Sequence, residues 1–161
     1  MEQTTRAFFY KGSTWDERVE LVQNHLLIME ELFKPELMDK LYSKGEMVQL
    51  WEDSYDDRPL TLQLWFHAGQ RKEGCMSLAL FYEASLYTKS CSGWQRKNRR
   101  QECYLYWCLQ GPQNGNELIK GMTKAFFGYR TKNLMFYGLR CFAKAIGVEN
   151  ISLLPMTAIT R

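Results

Sequence analysis

Two runs in the middle of the chain alternate apolar and polar side chains, and no other feature limits the fold so tightly. Leu60, Leu62, Leu64 and Phe66 are interleaved with Thr61, Gln63, Trp65 and His67. Met76, Leu78 and Leu80 repeat the pattern after a polar turn over 69–74. A period of two lines one face of a pleated strand. The spacing therefore predicts strands over 60–67 and 75–82, with Glu83-Ala84 as a short turn into a third strand over 85–91. A fourth strand is expected over 103–109, where Cys103, Leu105, Trp107 and Leu109 alternate with Tyr104, Tyr106 and Cys108. Large residues on both of its faces mark it as central or nearly so. Gln110-Gly111-Pro112 breaks it.

The flanks change to a helical period. Thr14-Trp15-Asp16-Glu17 has capping-box spacing, and Val19, Val22, Leu26, Met29 and Phe33 follow at helical intervals. A helix over 16–33 is expected. Pro35 opens a second, short helix with Leu37, Leu41 and Tyr42 on one face, interrupted at Gly45. The acidic stretch 52–59 reads as a surface connection. Beyond the fourth strand, 117–127 should be a helix capped by Asn116, and a break at Gly128-Tyr129-Arg130 leads to another over 132–146. Leu134, Tyr137, Cys141 and Ala145 are its expected inner stripe, and Gly147 supplies a left-handed cap. A last strand is expected over 148–154.

The order is two helices, four strands, two helices and one strand. It predicts an α+β fold, a mostly antiparallel sheet with helices packed on it. That order resembles the acyl-CoA N-acyltransferase fold, by analogy of element order alone. No repeat or linker interrupts 1–161, so one domain is expected.

Composition removes several classes of function. The five cysteines, Cys75, Cys91, Cys103, Cys108 and Cys141, form no C-x-x-C pair, and His25 and His67 are too scattered for a zinc site. The first residues do not read as a signal peptide and no run approaches a membrane span, which points to a reducing cytoplasm. Charge is divided unevenly. Residues 1–58 hold 13 acids and 7 bases, net −6, and residues 59–161 hold 5 acids and 14 bases, net +9. That asymmetry suits an anionic partner for the basic part, or two parts that face one another or are simply solvated.

Three places could carry chemistry. The segment Gln110-Gly111-Pro112-Gln113-Asn114-Gly115-Asn116 leads from a strand into a helix, where backbone N–H groups can meet a phosphate. It departs from the acyltransferase pyrophosphate loop, since Gln113 stands where a glycine is expected and Pro112 lacks a donor. Its ordinary reading is a turn. The second place is the basic set Lys120, Lys124, Arg130, Lys132 and Arg140. Arg130 and Lys132 sit at a helix start, against the macrodipole, where a bound anion would offset their cost, although the ordinary reading of such a set is a solvated face. The third is Trp94 among Arg96, Lys97, Arg99 and Arg100, with Tyr104 and Tyr106 nearby, a composition that can hold single-stranded RNA. His67 reads as a strand-end histidine, Glu83 as a solvated turn carboxylate and Cys108 as a small buried hydrophobe.

Blocks from the fourth strand onward carry a resemblance. Leu109-Gln110-Gly111-Pro112, Thr123-Lys124-Ala125, Gly128 with Arg130, Lys132-Asn133-Leu134, and Gly147-Val148 with Ile151 stand in the order of a known signature. Glu73-Gly74, Ser77-Leu78-Ala79-Leu80 and Leu86-Tyr87 echo it earlier. In these blocks the chain resembles the VirK/YbjX family, most clearly over 74–151. Members usually run further, and 155–161 departs from their pattern, so the chain reads as truncated after about residue 155. The resemblance implies a bacterial protein linked to virulence, envelope properties and tolerance of cationic antimicrobial peptides. It hands over no catalytic residue.

The sequence thus suggests an acyltransferase-like scaffold that binds an anionic ligand, with acyl-CoA as the candidate cofactor. The residues expected to hold it are Gln110, Gly111, Gly115, Asn116, Lys124, Arg130, Lys132 and Asn133. The competing expectation is a non-catalytic module that binds RNA or a protein through its basic half.

Overall fold

A computed structural model describes residues 13–66, 75–92, 94–96, 103–105, 108–111, 115–148 and 151. The fold is α+β. Helix α1 (Trp15–Leu32) is followed by α2 (Pro35–Met38) and a π-helical turn (Asp39–Ser43). Seven strands come next: β1 (Val48–Tyr55), β2 (Arg58–Trp65), β3 (Met76–Tyr82), β4 (Ser85–Ser92), β5 (Trp94–Arg96), β6 (Cys103–Leu105) and β7 (Cys108–Gln110). Helices α3 (Asn116–Ala125) and α4 (Thr131–Ala145) complete the described elements. An antiparallel sheet runs in the order β1-β2-β3-β4-β7, and β5 and β6 form a separate ribbon.

The start of α1 is built as the capping box requires. The Glu17 N–H donates to Thr14 Oγ1 at 3.3 Å, and the Thr14 N–H donates to Glu17 Oε2 at 2.7 Å. Two donors that the helix cannot satisfy are thereby paired. Thr14→Ala should cost about 1 kcal/mol in chemical denaturation, the usual loss on removing such a cap.

Strand β1 occupies 48–55, much of which the sequence marked as connection. A bulge between Gln49 and Trp51 breaks its alternation, and Glu52 and Asp53 lie exposed at the sheet's edge. Both features hide a strand from a period-two test, and both are ordinary on edges. The true turn is Asp56-Asp57, whose φ angles of 53° and 56° are those of a tight hairpin. Glu83 and Ala84 make the second such turn, with φ 50° and 60°.

The expected fourth strand is divided. Its first part, β6, pairs with β5 inside the supposed basic loop, and its second, β7, ends the described order of the main sheet. The strand that is central and covered on both faces is β3, all seven residues of which are buried. Neither Val148 nor Ile151 is in a strand, and the rest of the expected last strand lies outside the described residues.

One face of the sheet carries the helices. Leu60, Leu62 and Leu64 of β2 stand opposite Tyr82, Leu80 and Leu78 of β3, and all six are buried. They form one core with Ile28 and Met29 from α1, Phe33 just after it, Met122 from α3, and Met135, Leu139 and Ala143 from α4. In α1 the buried set is Leu21, His25, Ile28 and Met29, while Leu26 is exposed. A histidine in the inner stripe had disguised its phase. The N-cap of α3 is Gly115, one residue before Asn116, and no side chain caps it. At the far end of α4, Gly147 has φ 77°, the left-handed cap that was expected.

Candidate ligand site

The stripe expected to face inward on α4 does not do so. Thr131, Met135, Leu139 and Ala143 are buried, whereas Tyr137, Cys141 and Ala145 are exposed. Helix α4 is apolar over two adjacent stripes, and the sheet takes only one of them. The other lines a groove of about 470 Å³.

Its opposite wall is β1, and its floor is the sheet. Leu50 and Trp51 both line it, because the bulge turns two successive residues toward the same space. Trp51, Leu62 and Leu80 form a cross-strand row beneath it. Gly138 sets the height of α4 above that row, since a Cβ there would meet Leu62 Cδ2 at 2.7 Å. From Leu134 to Ala145 the helical wall is about 16 Å long. Such dimensions and an apolar lining suit a small ligand with an extended hydrocarbon part.

Polar groups lie at the edges. Tyr137 stands beside Cys141, and its interaction with that thiol holds its pKa above the ordinary value. Tyr137 and Cys141 also border a second depression of about 570 Å³, lined by Arg140 and Lys144. Arg130 stands one turn before Leu134, beyond the other end of the wall.

The eight residues expected to hold an anion fall into two groups. Gln110 ends β7, paired with Lys89, and Gly111 follows it, exposed. Gly115 and Asn116 begin α3. Pro112, Gln113 and Asn114 lie outside the described residues. Lys124 is at the other end of α3, about 12 Å along its axis from Asn116. It is joined by the turn 126–129 to Arg130, Lys132 and Asn133 at the start of α4. All four of these are exposed. No side chain caps either helix N-terminus. Lys120 is paired with Glu117 at 2.8 Å.

The remaining candidates resolve simply. Glu83 pairs with Arg58 at 2.9 Å across the hairpins. His67, Lys97, Arg99, Arg100 and Tyr106 lie outside the described residues, Trp94 and Arg96 are in β5, Tyr104 is in β6, and Cys108 is in β7. The more unusual histidine is His25, fully buried with Nε2 2.7 Å from Tyr42 Oη. Burial lowers its pKa to about 3 and raises that of Tyr42. No metal-binding group of three or more His, Cys, Asp or Glu exists among the described residues.

A family model described as "Protein of unknown function (DUF535)" matches residues 1–160. The chain belongs to the DUF535 family. This is the family that contains VirK/YbjX, as the motifs after residue 74 suggested. No curated protein and no solved structure matches the chain. Among the described residues of this DUF535 member, no helix is long and apolar enough to cross a membrane.

Proposed function

We propose that this chain binds an acyl-CoA-like anionic ligand, with the hydrocarbon part in the groove between β1 and α4. The observation that carries the reading is the open apolar groove itself, because exposed hydrophobic surface of this shape is costly unless something occupies it. Support for an anionic head comes from Arg130 and Lys132 at the uncapped start of α4, with Asn133 beside them and Lys124 across the turn. Gln110, Gly111, Gly115 and Asn116, at the other uncapped start, would meet a longer head group. The scaffold would be one domain over 1–161, acyltransferase-like in its use of a strand-to-helix junction. The setting that goes with the VirK/YbjX resemblance is the bacterial cytoplasm and a contribution to envelope properties or virulence.

Thermal melts with free CoA and with a long-chain acyl-CoA test the reading. At about 100 times its dissociation constant, a ligand adds about 2.7 kcal/mol of stability. Acyl-CoA should raise the melt well above what CoA does. Ala145→Phe, which fills the groove from an exposed position, should remove the rise without altering the free protein, and Arg130→Ala should weaken it. Alkylation of Cys141, exposed and free, should slow when acyl-CoA is present. A melt that no acyl-CoA moves, together with salt-sensitive RNA binding, would replace this reading by the RNA-binding module.

A further inference from the structure

The turn between α3 and α4 places its most apolar residue where the chain gains least from it. Phe127 is 102% exposed and has φ 53°. It directly follows Phe126, the C-cap of α3, and that position is usually given to glycine because a side chain is strained there. Here glycine comes one residue later, at Gly128. Three backbone bonds fix the turn: Phe126 N–H to Met122 O at 2.9 Å, Gly128 N–H to Thr123 O at 2.7 Å, and Tyr129 N–H to Phe126 O at 2.9 Å. Phe126 packs against the core, and Phe127 is turned away from it. The chain therefore bears a conformational cost and a solvation cost at one residue, with no burial in return.

Around the ring the charge is of one sign. Residues 118–148 contain six cations and no acid. Lys124, Arg130 and Lys132 flank the turn, exposed, and among the described residues none of them is in an ion pair. Tyr129, between the ring and Arg130 in sequence, is 45% exposed. An apolar tip, an amphipathic aromatic and a set of cations follow the order in which a bilayer interface accepts side chains. A nucleic-acid platform would instead lay its aromatics flat on a backing surface, which a projecting turn does not supply.

We propose that the α3–α4 corner docks on an anionic lipid surface, with Phe127 entering the boundary below the head groups and Lys124, Arg130 and Lys132 meeting the lipid phosphates. This goes beyond the ligand groove and does not rest on its being occupied, although Lys124, Arg130 and Lys132 are also the cations proposed to meet the ligand's head group. Attraction to anionic lipid acts within a Debye length and adds with each cation.

Co-sedimentation of the full chain with vesicles of phosphatidylcholine, alone or mixed with phosphatidylglycerol, reads the proposal. Binding should need phosphatidylglycerol and weaken with salt. Phe127→Gly should lower the partition coefficient about tenfold, the loss of one buried aromatic. The same variant should melt no lower than the wild type, and higher if the left-handed φ is relieved. Phe127→Trp should keep binding, and Arg130→Glu with Lys132→Glu should abolish it. Acyl-CoA stabilisation of Phe127→Gly should be unchanged, which keeps the corner and the groove separable. The proposal is overturned if the wild type ignores phosphatidylglycerol, if Phe127→Gly binds vesicles as well as the wild type, or if single-stranded RNA and not vesicles depends on Phe127.

Discussion

Lowering the pH from 7 to 5 should cost the fold about 2 kcal/mol through His25 alone. The side chain is fully buried on α1, with Nε2 2.7 Å from Tyr42 Oη, and burial pushes its pKa from 6.5 down to about 3. The folded chain thus keeps the imidazole neutral, while the unfolded chain protonates it below pH 6.5. Above that pH the two states hold the same proton count at this site and nothing is lost. Below it the unfolded state binds the extra proton, so stability falls as pH drops, until the folded form titrates near pH 3. Across the whole window the loss is on the order of 5 kcal/mol, at 1.36 kcal/mol per unit. Urea denaturation at pH 7 and pH 5, for the wild type and His25→Gln, isolates the effect. The wild type should lose about 2 kcal/mol more than the variant, because carboxylate titrations are common to both. Equal losses would mean that His25 is not held neutral in the fold.

Leu80→Ala should destabilise the chain by about 2–5 kcal/mol, the range for truncating a fully buried leucine. Leu80 is 0% exposed in the middle of β3, opposite Leu62 on one side and Thr88 on the other. A sheet interior cannot collapse around the missing atoms as a loop could, which favours the upper part of the range. Chemical denaturation gives the value directly, and a loss under 1 kcal/mol would contradict the packing described here. Leu80 is also the groove's floor, so this variant opens the site from below while weakening the fold. Ala145→Phe closes it from above at an exposed position, where substitutions usually change stability by about 0.5 kcal/mol or less. Comparing the two separates what the groove does from what the core does.

The parts of the fold legible in the sequence are those whose signals are local. Thr14 and Glu17 are three apart and cap α1 as their spacing requires. Leu60, Leu62 and Leu64 point to one side because period two is the pleat itself. Strand β1 was missed because the extra residue at the Gln49–Trp51 bulge breaks that period and its acids are those of an edge. The phase of α4 was missed for a different reason. Leu134, Tyr137, Cys141 and Ala145 are a genuine apolar stripe, but so are Met135, Leu139 and Ala143 beside it, and only the sheet decides between them. Gly138, at the border of the two stripes, is where α4 comes nearest Leu62, and a Cβ there would not fit. Of the candidate site, the cations at 124–132 could be read from charge and chain position. The groove could not, because its walls come from residues more than 80 apart in the chain.

The succession β1-β2-β3-β4 makes neighbours in the sheet neighbours along the chain as well. Each pairing closes a short loop, two of them tight turns, and short closures lose little chain entropy. On a ribosome these four strands can pair before α4 has been synthesised, leaving the row Trp51, Leu62 and Leu80 exposed for that interval. The wall that covers its inner part and makes a site of the remainder is the last of the described elements to be made. A nascent chain of this kind should depend on chaperones between the synthesis of β4 and that of α4, and become competent to bind only when translation has passed Ala145.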